Sequence, residues 1–141
     1  MLGSPGQSGG QKRDLTMTNA THAPAAIADL YIAAWNETDP QRRRTLIAQG
    51  WSEDASYLDP LTGVSGHDGL DAMIDAVQRQ FPGLRFSLQG AVDGHNDRLR
   101  FSWALGSEGG EPLARGTDFA LLAADGRLRS VTGFLDQVPT A

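Results

Sequence analysis

Hydrophobic residues in the first half of the chain recur at the spacing of α-helices in three stretches. A first helix is predicted to begin near Pro24, and its apolar stripe consists of Ile27, Leu30, Tyr31, Ala34 and Trp35. A second helix is predicted to start at Asp39-Pro40 and to end at Gly50, because Asp is a favoured N-cap and Pro suits the first helical turn. The third helix ends before Pro82, and its stripe consists of Leu70, Met73, Ile74, Val77 and Phe81.

From residue 84 onward the pattern changes to the alternation that is typical of β-strands. Strands are predicted over 84–92, 98–105, 113–123 and 127–136. Turns are predicted at Asp93-Gly94 with Asn96, and at Asp125-Gly126, which is a strong hairpin signal. Because helices come first and an antiparallel run of strands follows, the order predicts an α+β fold with three helices covering one face of a curved antiparallel sheet.

One short strand is predicted before the third helix, over residues 51–59, and a loop over 61–66 follows it. Side chains alternate across a strand, so Tyr57 and Asp59 share one face. Pro60 lacks a backbone N–H and favours extended geometry at the residue before it. We therefore expect the Asp59 carboxylate to have a fixed direction at the end of this strand.

The length and composition fit a single domain that needs no disulfide cross-links. The chain has 141 residues and no cysteine, which excludes disulfides and cysteine nucleophiles. Residues 1–23 are polar and without periodicity, so we expect a disordered tail with Met17 as a plausible alternative start, and a domain over 24–138. Arg42-Arg43-Arg44 is expected to be a solvated helix face.

The charge and the hydropathy of the chain limit the kinds of binding partner and the cellular location that we expect. The net charge of −5 argues against nucleic acid and anionic membrane as partners. No apolar run approaches the roughly 20 residues that span a bilayer, and the N-terminus lacks the apolar core of a signal peptide, so we expect a soluble, cytoplasmic protein. The histidines at 22, 67 and 95 are isolated in the sequence, so no metal site is predicted.

The order of these elements resembles the nuclear transport factor 2-like superfamily, and within it the SnoaL-like group. The resemblance covers roughly residues 25–138 and is carried by segments 33–60 and 116–136. It implies a cone-shaped α+β fold whose curved sheet encloses an apolar pocket, and a homodimer formed through the sheet. Because this superfamily hosts enzymes and binding proteins alike, the resemblance specifies the fold better than the chemistry.

Three positions also match the ketosteroid isomerase branch of that superfamily. Tyr31 lies on the first helix, Asp59 lies in the Asp-Pro at the end of the first strand, and Asp118 lies eight residues before Gly126. The resemblance implies that Asp59 is a general base and that Tyr31 and Asp118 donate hydrogen bonds to an enolate oxygen. It also implies an apolar small-molecule substrate and no cofactor.

The expected pocket combines residues from the first half of the chain with residues of the last strand. Tyr57 shares the face of Asp59, Ile74 occupies a place where the isomerase branch often has a tyrosine, and the last strand contributes a wall. The candidate pocket residues are Tyr57, Trp35, Ile74, Val131 and Gly133. Phe86, Phe101 and Trp103 are expected in the core or at a dimer interface.

Several alternatives stay open. Asp59 in an Asp-Pro could cap the following loop, and Asp118 could face either the pocket or solvent. A polyketide cyclase-like enzyme of the same fold is a further alternative, although the aspartate of cyclases and limonene epoxide hydrolases would fall at Gly133. A non-catalytic binding protein needs only the cavity, and an interaction module would have the cavity filled by Trp35, Phe81 and Phe86.

Overall fold

The structure, a computed structural model, describes residues 23–139, so nearly all of the predicted tail lies outside the described residues. The helices and strands are α1 (Pro24–Asn36), α2 (Pro40–Gly50), β1 (Trp51–Leu58), β2 (Gly63–Ser65), α3 (Gly66–Gln80), β3 (Arg85–His95), β4 (Arg98–Gly106), β5 (Ala114–Leu122) and β6 (Leu128–Gln137). Among the helices of this described part, none has the length and apolar character needed to cross a membrane.

The predicted α+β fold is confirmed, with three helices on a curved, unclosed sheet. The strand order is β2-β1-β6-β5-β4-β3. Four neighbouring pairs are antiparallel, whereas β1 and β6 run parallel, which corrects the prediction of a purely antiparallel sheet. The parallel pair joins strands that are far apart in the chain, so no local turn signal could indicate it.

Two local predictions differ from the structure. The predicted loop 61–66 contains β2, which is too short to show alternation and pairs with the end of β1. The turn predicted at Asp93-Gly94 is part of β3, which continues to His95. The ladder between β3 and β4 shifts register between Gln89 and Asp93, and the chain reverses only at Asn96, where φ is +51°.

The hydrophobic core lies between the helices and one face of the sheet. Helix α1 packs against β3, and α3 packs against β1. The predicted helical stripes supply the helix side of this core, and β1, β4, β5 and β6 supply the sheet side. Its most deeply buried apolar members include Ala28, Ile47, Trp51, Leu70, Ile74, Leu99, Ala120, Leu128 and Val131.

Arg43 is buried, with 2% of its surface exposed, so the expectation of a solvated arginine run is wrong at this position. Its Nε donates to Asp71 Oδ1 at 2.7 Å, and its Nη1 donates to Gln78 Oε1 at 2.9 Å and to the backbone oxygen of Glu37 at 3.2 Å. Arg43 shares a helix face with the buried residues Ile47 and Gly50. The guanidinium therefore joins α2 to α3 and to the segment that follows α1.

We expect Arg43→Ala to lower the free energy of unfolding by about 3–5 kcal/mol, because the buried Asp71 carboxylate would lose its partner. Arg42→Ala is the matched control, since the neighbouring side chain is exposed, and we expect it to change stability by less than about 0.5 kcal/mol. Urea unfolding of the two variants measures the difference. Equal effects would show that the buried network does not stabilise the fold.

Candidate active site

A cavity of about 360 Å³ lies between α1, α3 and the concave side of the sheet. Its walls are mainly aromatic and aliphatic, with two tyrosines and two aspartates as the ionisable groups. The aromatic side chains that line it are Tyr31, Trp35, Tyr57, Phe81, Phe86 and Trp103. Pockets that bind small molecules have this combination of apolar walls and a few convergent polar groups.

Tyr31 and Asp118 form a buried hydrogen-bonded pair on one wall. The Tyr31 hydroxyl donates to Asp118 Oδ2 at 2.6 Å, and the Trp103 indole N–H donates to Asp118 Oδ1 at 3.2 Å. Asp118 is only 2% exposed, so its carboxyl requires these partners. The ring of Tyr31 is held against Trp51 and Phe101, with centroid distances of 5.6 and 5.0 Å.

Burial changes the acidity of this pair. Desolvation raises the pKa of Asp118 from 3.8 to about 6, although the hydrogen bonds from Tyr31 and Trp103 oppose the rise and the charge of Asp59 adds to it. Burial, followed by the charge of Asp118, raises the pKa of Tyr31 well above its usual value. The pair therefore holds two protons below pH 6 and one proton at neutral pH.

Tyr57 and Asp59 form a second pair at the end of β1. The Tyr57 hydroxyl donates to Asp59 Oδ2 at 2.6 Å, and burial raises the pKa of this tyrosine. Asp59 Oδ1 accepts the backbone N–H groups of Leu61 and Thr62 at 2.8 and 2.9 Å. Asp59 therefore caps the loop, and its side chain also lines the cavity.

Gly133 on β6 is the point where the two pairs come together. A Cβ at this position would lie 2.9 Å from Asp118 Oδ1, 3.3 Å from Asp59 Cβ and 3.4 Å from the Tyr57 hydroxyl. Gly133 is also the cross-strand partner of Asp118. The missing side chain leaves the room that both polar pairs occupy beside the cavity.

The structure brings the three predicted catalytic residues, Tyr31, Asp59 and Asp118, to the wall of one cavity, with Tyr57 and Trp35 beside them. Asp118 faces the interior and not solvent.

Three predicted pocket residues, Ile74, Val131 and Gly133, are not on the cavity wall, and this corrects their assignment. Ile74 and Val131 are buried in the core, 0% and 1% exposed. Val77 and Gln80 on α3, and Leu135 and Gln137 on β6, line the cavity instead. Gly133 lies between the core position 131 and the cavity position 135 along β6. The cavity is therefore displaced toward the C-terminal ends of α3 and β6 from where the sequence placed it.

The sequence did not identify Phe86 and Trp103 as cavity residues. Phe86 packs between Trp35 and Trp103 with centroid distances of 5.2 and 5.3 Å, so the three rings form a continuous aromatic wall. The sequence placed Trp103 in the core or at a dimer interface, and it could not show which group the indole N–H would meet. Trp35, Phe81 and Phe86 line the cavity without filling it, contrary to the arrangement expected of an interaction module.

Within residues 23–139, no group of three or more His, Asp or Glu side chains has the arrangement of a metal site. His67, at the start of α3, instead places Nε2 3.0 Å from the backbone oxygen of Trp51 and 3.1 Å from that of Ser52. Its ring is therefore used to hold α3 against β1.

Comparison with known proteins identifies the relatives of this chain. A profile of the SnoaL-like domain matches residues 28–131. The structure is similar to that of a proposed isomerase of the SnoaL-like family from Agrobacterium tumefaciens strain C58, with 49% identity, a TM-score of 0.76, and coverage of 79% of this chain and 96% of that one. A search of curated proteins finds no match.

More distant structures share the fold alone. A SnoaL-like protein from Burkholderia thailandensis is 16% identical with a TM-score of 0.63, and the match covers 79% of this chain and 93% of that one. A proposed SnoaL-like polyketide cyclase from Jannaschia sp. CCS1 is 16% identical with a TM-score of 0.61, and the match covers 84% and 92% of the two chains.

The raised pKa of Asp118 predicts a specific pH dependence of stability. The folded state holds this proton more tightly than the unfolded chain, so the contribution of Asp118 is present below pH 4 and is lost as pH rises to about 6. Asp118→Asn removes the ionisation, because an amide stays neutral. We expect the stability of the wild type relative to this variant to fall by about 2–2.5 kcal/mol between pH 4 and 7.

Urea unfolding at several pH values measures this difference. Asp125→Asn is a control of opposite sign, since hydrogen bonds from Arg127 hold the pKa of Asp125 below its usual value and its contribution is lost as pH falls. A pH-independent difference between wild type and Asp118→Asn would show that Asp118 ionises as freely when folded as when unfolded.

Proposed function

This chain belongs to the SnoaL-like domain family, and we propose that it is a cofactor-free isomerase that transfers a proton next to the carbonyl group of an apolar small molecule. One observation carries the proposal: the buried Tyr31–Asp118 pair and the Asp59 carboxylate face one mainly apolar cavity. The Agrobacterium tumefaciens relative, named as a proposed isomerase, supports the same reaction class.

Asp59 is the general base in this proposal. Its carboxylate removes a proton from the carbon between the carbonyl group and the double bond, which leaves a dienolate, and the same carboxyl returns that proton to the far carbon of the dienolate. The double bond moves into conjugation, and no cofactor or net proton is consumed. Hydrogen bonds from Tyr57 and from two backbone N–H groups fix the direction of the carboxylate.

The Tyr31–Asp118 pair stabilises the negative charge that develops on the substrate oxygen. Donors held in place inside an apolar site are effective because they need no reorganisation when the charge forms. Burial raises the pKa of Asp118 to about 6, so the pair holds both of its protons in mildly acidic solution. The proposed base, Asp59, and the proposed donor pair, Tyr31–Asp118, thus line one cavity, as the transfer of a proton within one substrate molecule requires.

The aromatic wall selects the kind of substrate. Trp35, Phe86 and Trp103 present apolar ring surface. The two tyrosine–aspartate pairs meet beside Gly133, so the ionisable groups are clustered in one part of the cavity. A molecule with a single carbonyl group and an otherwise apolar, unsaturated body matches this distribution, because every other polar group would lose hydrogen bonds to water on entry.

A binding protein without catalytic activity is the second candidate, and one observation favours it. Both oxygens of Asp59 already accept hydrogen bonds, as a purely structural loop cap would require. A cyclase-like enzyme is less well supported, since Gly133 stands where cyclases carry their aspartate.

The reaction is tested on a panel of β,γ-unsaturated ketones by absorbance of the conjugated product. We expect turnover by the wild type and a loss of about 10²–10⁴-fold in kcat for Asp59→Asn, since the amide cannot accept the proton. Asp54→Asn, an exposed aspartate on the same strand, is the matched control and should keep wild-type activity. Turnover that survives Asp59→Asn would refute the base assignment, and tight binding without turnover of any ketone would favour the binding protein.

We also propose that the chain forms a homodimer through the outer face of the sheet. Phe119 on β5 and Phe134 on β6 are large apolar side chains on adjacent strands, 40% and 58% exposed. Exposed apolar surface of this kind is common at protein–protein interfaces.

Sedimentation velocity tests this interface. We expect the wild type to sediment as a dimer and Phe134→Glu to sediment as a monomer, because a charge would be buried without a partner. Gln41→Glu adds the same charge on the exposed side of α2 and should leave the dimer intact. A monomeric wild type, or a dimer unaffected by Phe134→Glu, would contradict the proposal.

A further inference from the structure

We infer that Trp103 is a positioning residue that directs the proton of the neutral Asp118 carboxyl toward Tyr31, so that Tyr31 alone donates to the substrate oxygen. The catalytic consequence rests on the function proposed above. The arrangement of the three side chains does not, and it can be tested without a substrate.

The first step concerns the two oxygens of Asp118. Oδ1 lies 3.2 Å from the indole nitrogen of Trp103, and Oδ2 lies 2.6 Å from the hydroxyl oxygen of Tyr31. An indole N–H can only donate, and the carbonyl oxygen of a neutral carboxyl is a better acceptor than its hydroxyl oxygen, so the contact with Trp103 favours Oδ1 as the carbonyl oxygen. The carboxylic proton therefore resides on Oδ2, next to Tyr31.

The second step concerns the single proton between Asp118 and Tyr31. When Asp118 is neutral, its Oδ2–H donates to the Tyr31 oxygen, and the tyrosine proton is free for the substrate. When Asp118 is ionised, the Tyr31 hydroxyl donates to Oδ2, and no proton of the pair remains for the substrate. Donation is thus serial, from Asp118 to Tyr31 to substrate, instead of the two parallel donors that the family resemblance implies.

The third step shows that the structure makes room for the indole. Trp103 on β4 is the cross-strand partner of Gly116 on β5, two residues before Asp118 on the same face. A Cβ at Gly116 would lie 2.5 Å from Cε2 of the Trp103 ring. The ring therefore lies over the bare backbone of Gly116, and this position lets its N–H reach Asp118.

The indole N–H signals of the three tryptophans, followed by NMR between pH 4 and 8, test this arrangement directly. We expect the Trp103 signal, identified by its loss in Trp103→Phe, to shift sigmoidally as Asp118 ionises and to become independent of pH in Asp118→Asn. Gly116→Ala should also weaken the titration, because the added methyl group displaces the ring. A Trp103 signal that stays constant with pH, or that still titrates in Asp118→Asn, would overturn the inference.

Steady-state kinetics then separates serial from parallel donation. Loss of an oxyanion donor by Tyr31→Phe should lower kcat/KM by about 10²–10³-fold. Asp118→Ala should lower it by about tenfold or more in the wild-type background but by less than about twofold in the Tyr31→Phe background, because Asp118 acts only through Tyr31. Losses that multiply would show two independent donors and refute the serial arrangement.

The pH profile provides a readout that a purely structural role of Trp103 would not change. Wild-type kcat/KM should fall above pH 6, whereas Asp118→Asn should stay active there, since an amide can accept from Trp103 and donate to Tyr31 at any pH. Trp103→Phe removes a hydrogen bond that lowers the pKa of Asp118, so the fall should move to higher pH. A fall that stays at the wild-type pH would refute the role of Trp103. Absence of turnover on every ketone would refute the proposed function, and the indole titration would still decide the role of Trp103.

Discussion

The hydrogen bond between Tyr31 and Asp118 connects helix α1 to strand β5 across the interior of the domain. A carboxyl group that is almost fully buried destabilises a fold unless its oxygens have partners, so this contact constrains the position of the whole helix. The cavity is the space between that helix, α3 and the sheet. The candidate site and the fold therefore depend on the same interaction. If Tyr31 moved, the buried Asp118 carboxyl would lose one of its hydrogen-bond donors.

Two glycines create the space for this polar interior. Gly116 lies opposite Trp103, and Gly133 lies opposite Asp118, on neighbouring strands of the sheet. At either position a side chain would overlap atoms of the site. Apolar strands with two missing side chains thus produce a recess in which a carboxyl, a phenol and an indole contact one another. The aspartate that a cyclase would carry at Gly133 is sterically incompatible with this arrangement.

Asp59 and Arg43 are also polar side chains that each have several hydrogen-bond partners. Asp59 holds the loop after β1 through two backbone hydrogen bonds while one oxygen remains paired with Tyr57 at the cavity. Arg43 joins α2 to α3 and to the segment that follows α1. Rigid support of this kind keeps Asp59 and the Tyr31–Asp118 pair at fixed positions, which the proposed proton transfer requires because fixed groups need little reorganisation.

The amino-acid sequence by itself determined the three helices, strands β3 to β6 nearly to their ends, and the short strand β1 that ends just before Asp59. These features follow from periodicity, capping residues and proline, which act over a few neighbouring residues. Only the tertiary structure decided the parallel pairing of β1 with β6, the burial of Arg43, the bond from Trp103 to Asp118, and which positions of α3 and β6 reach the cavity. Each of these features depends on contacts between residues that are far apart in the chain. Such contacts leave no local pattern in the sequence, because periodicity and capping reflect only neighbouring residues.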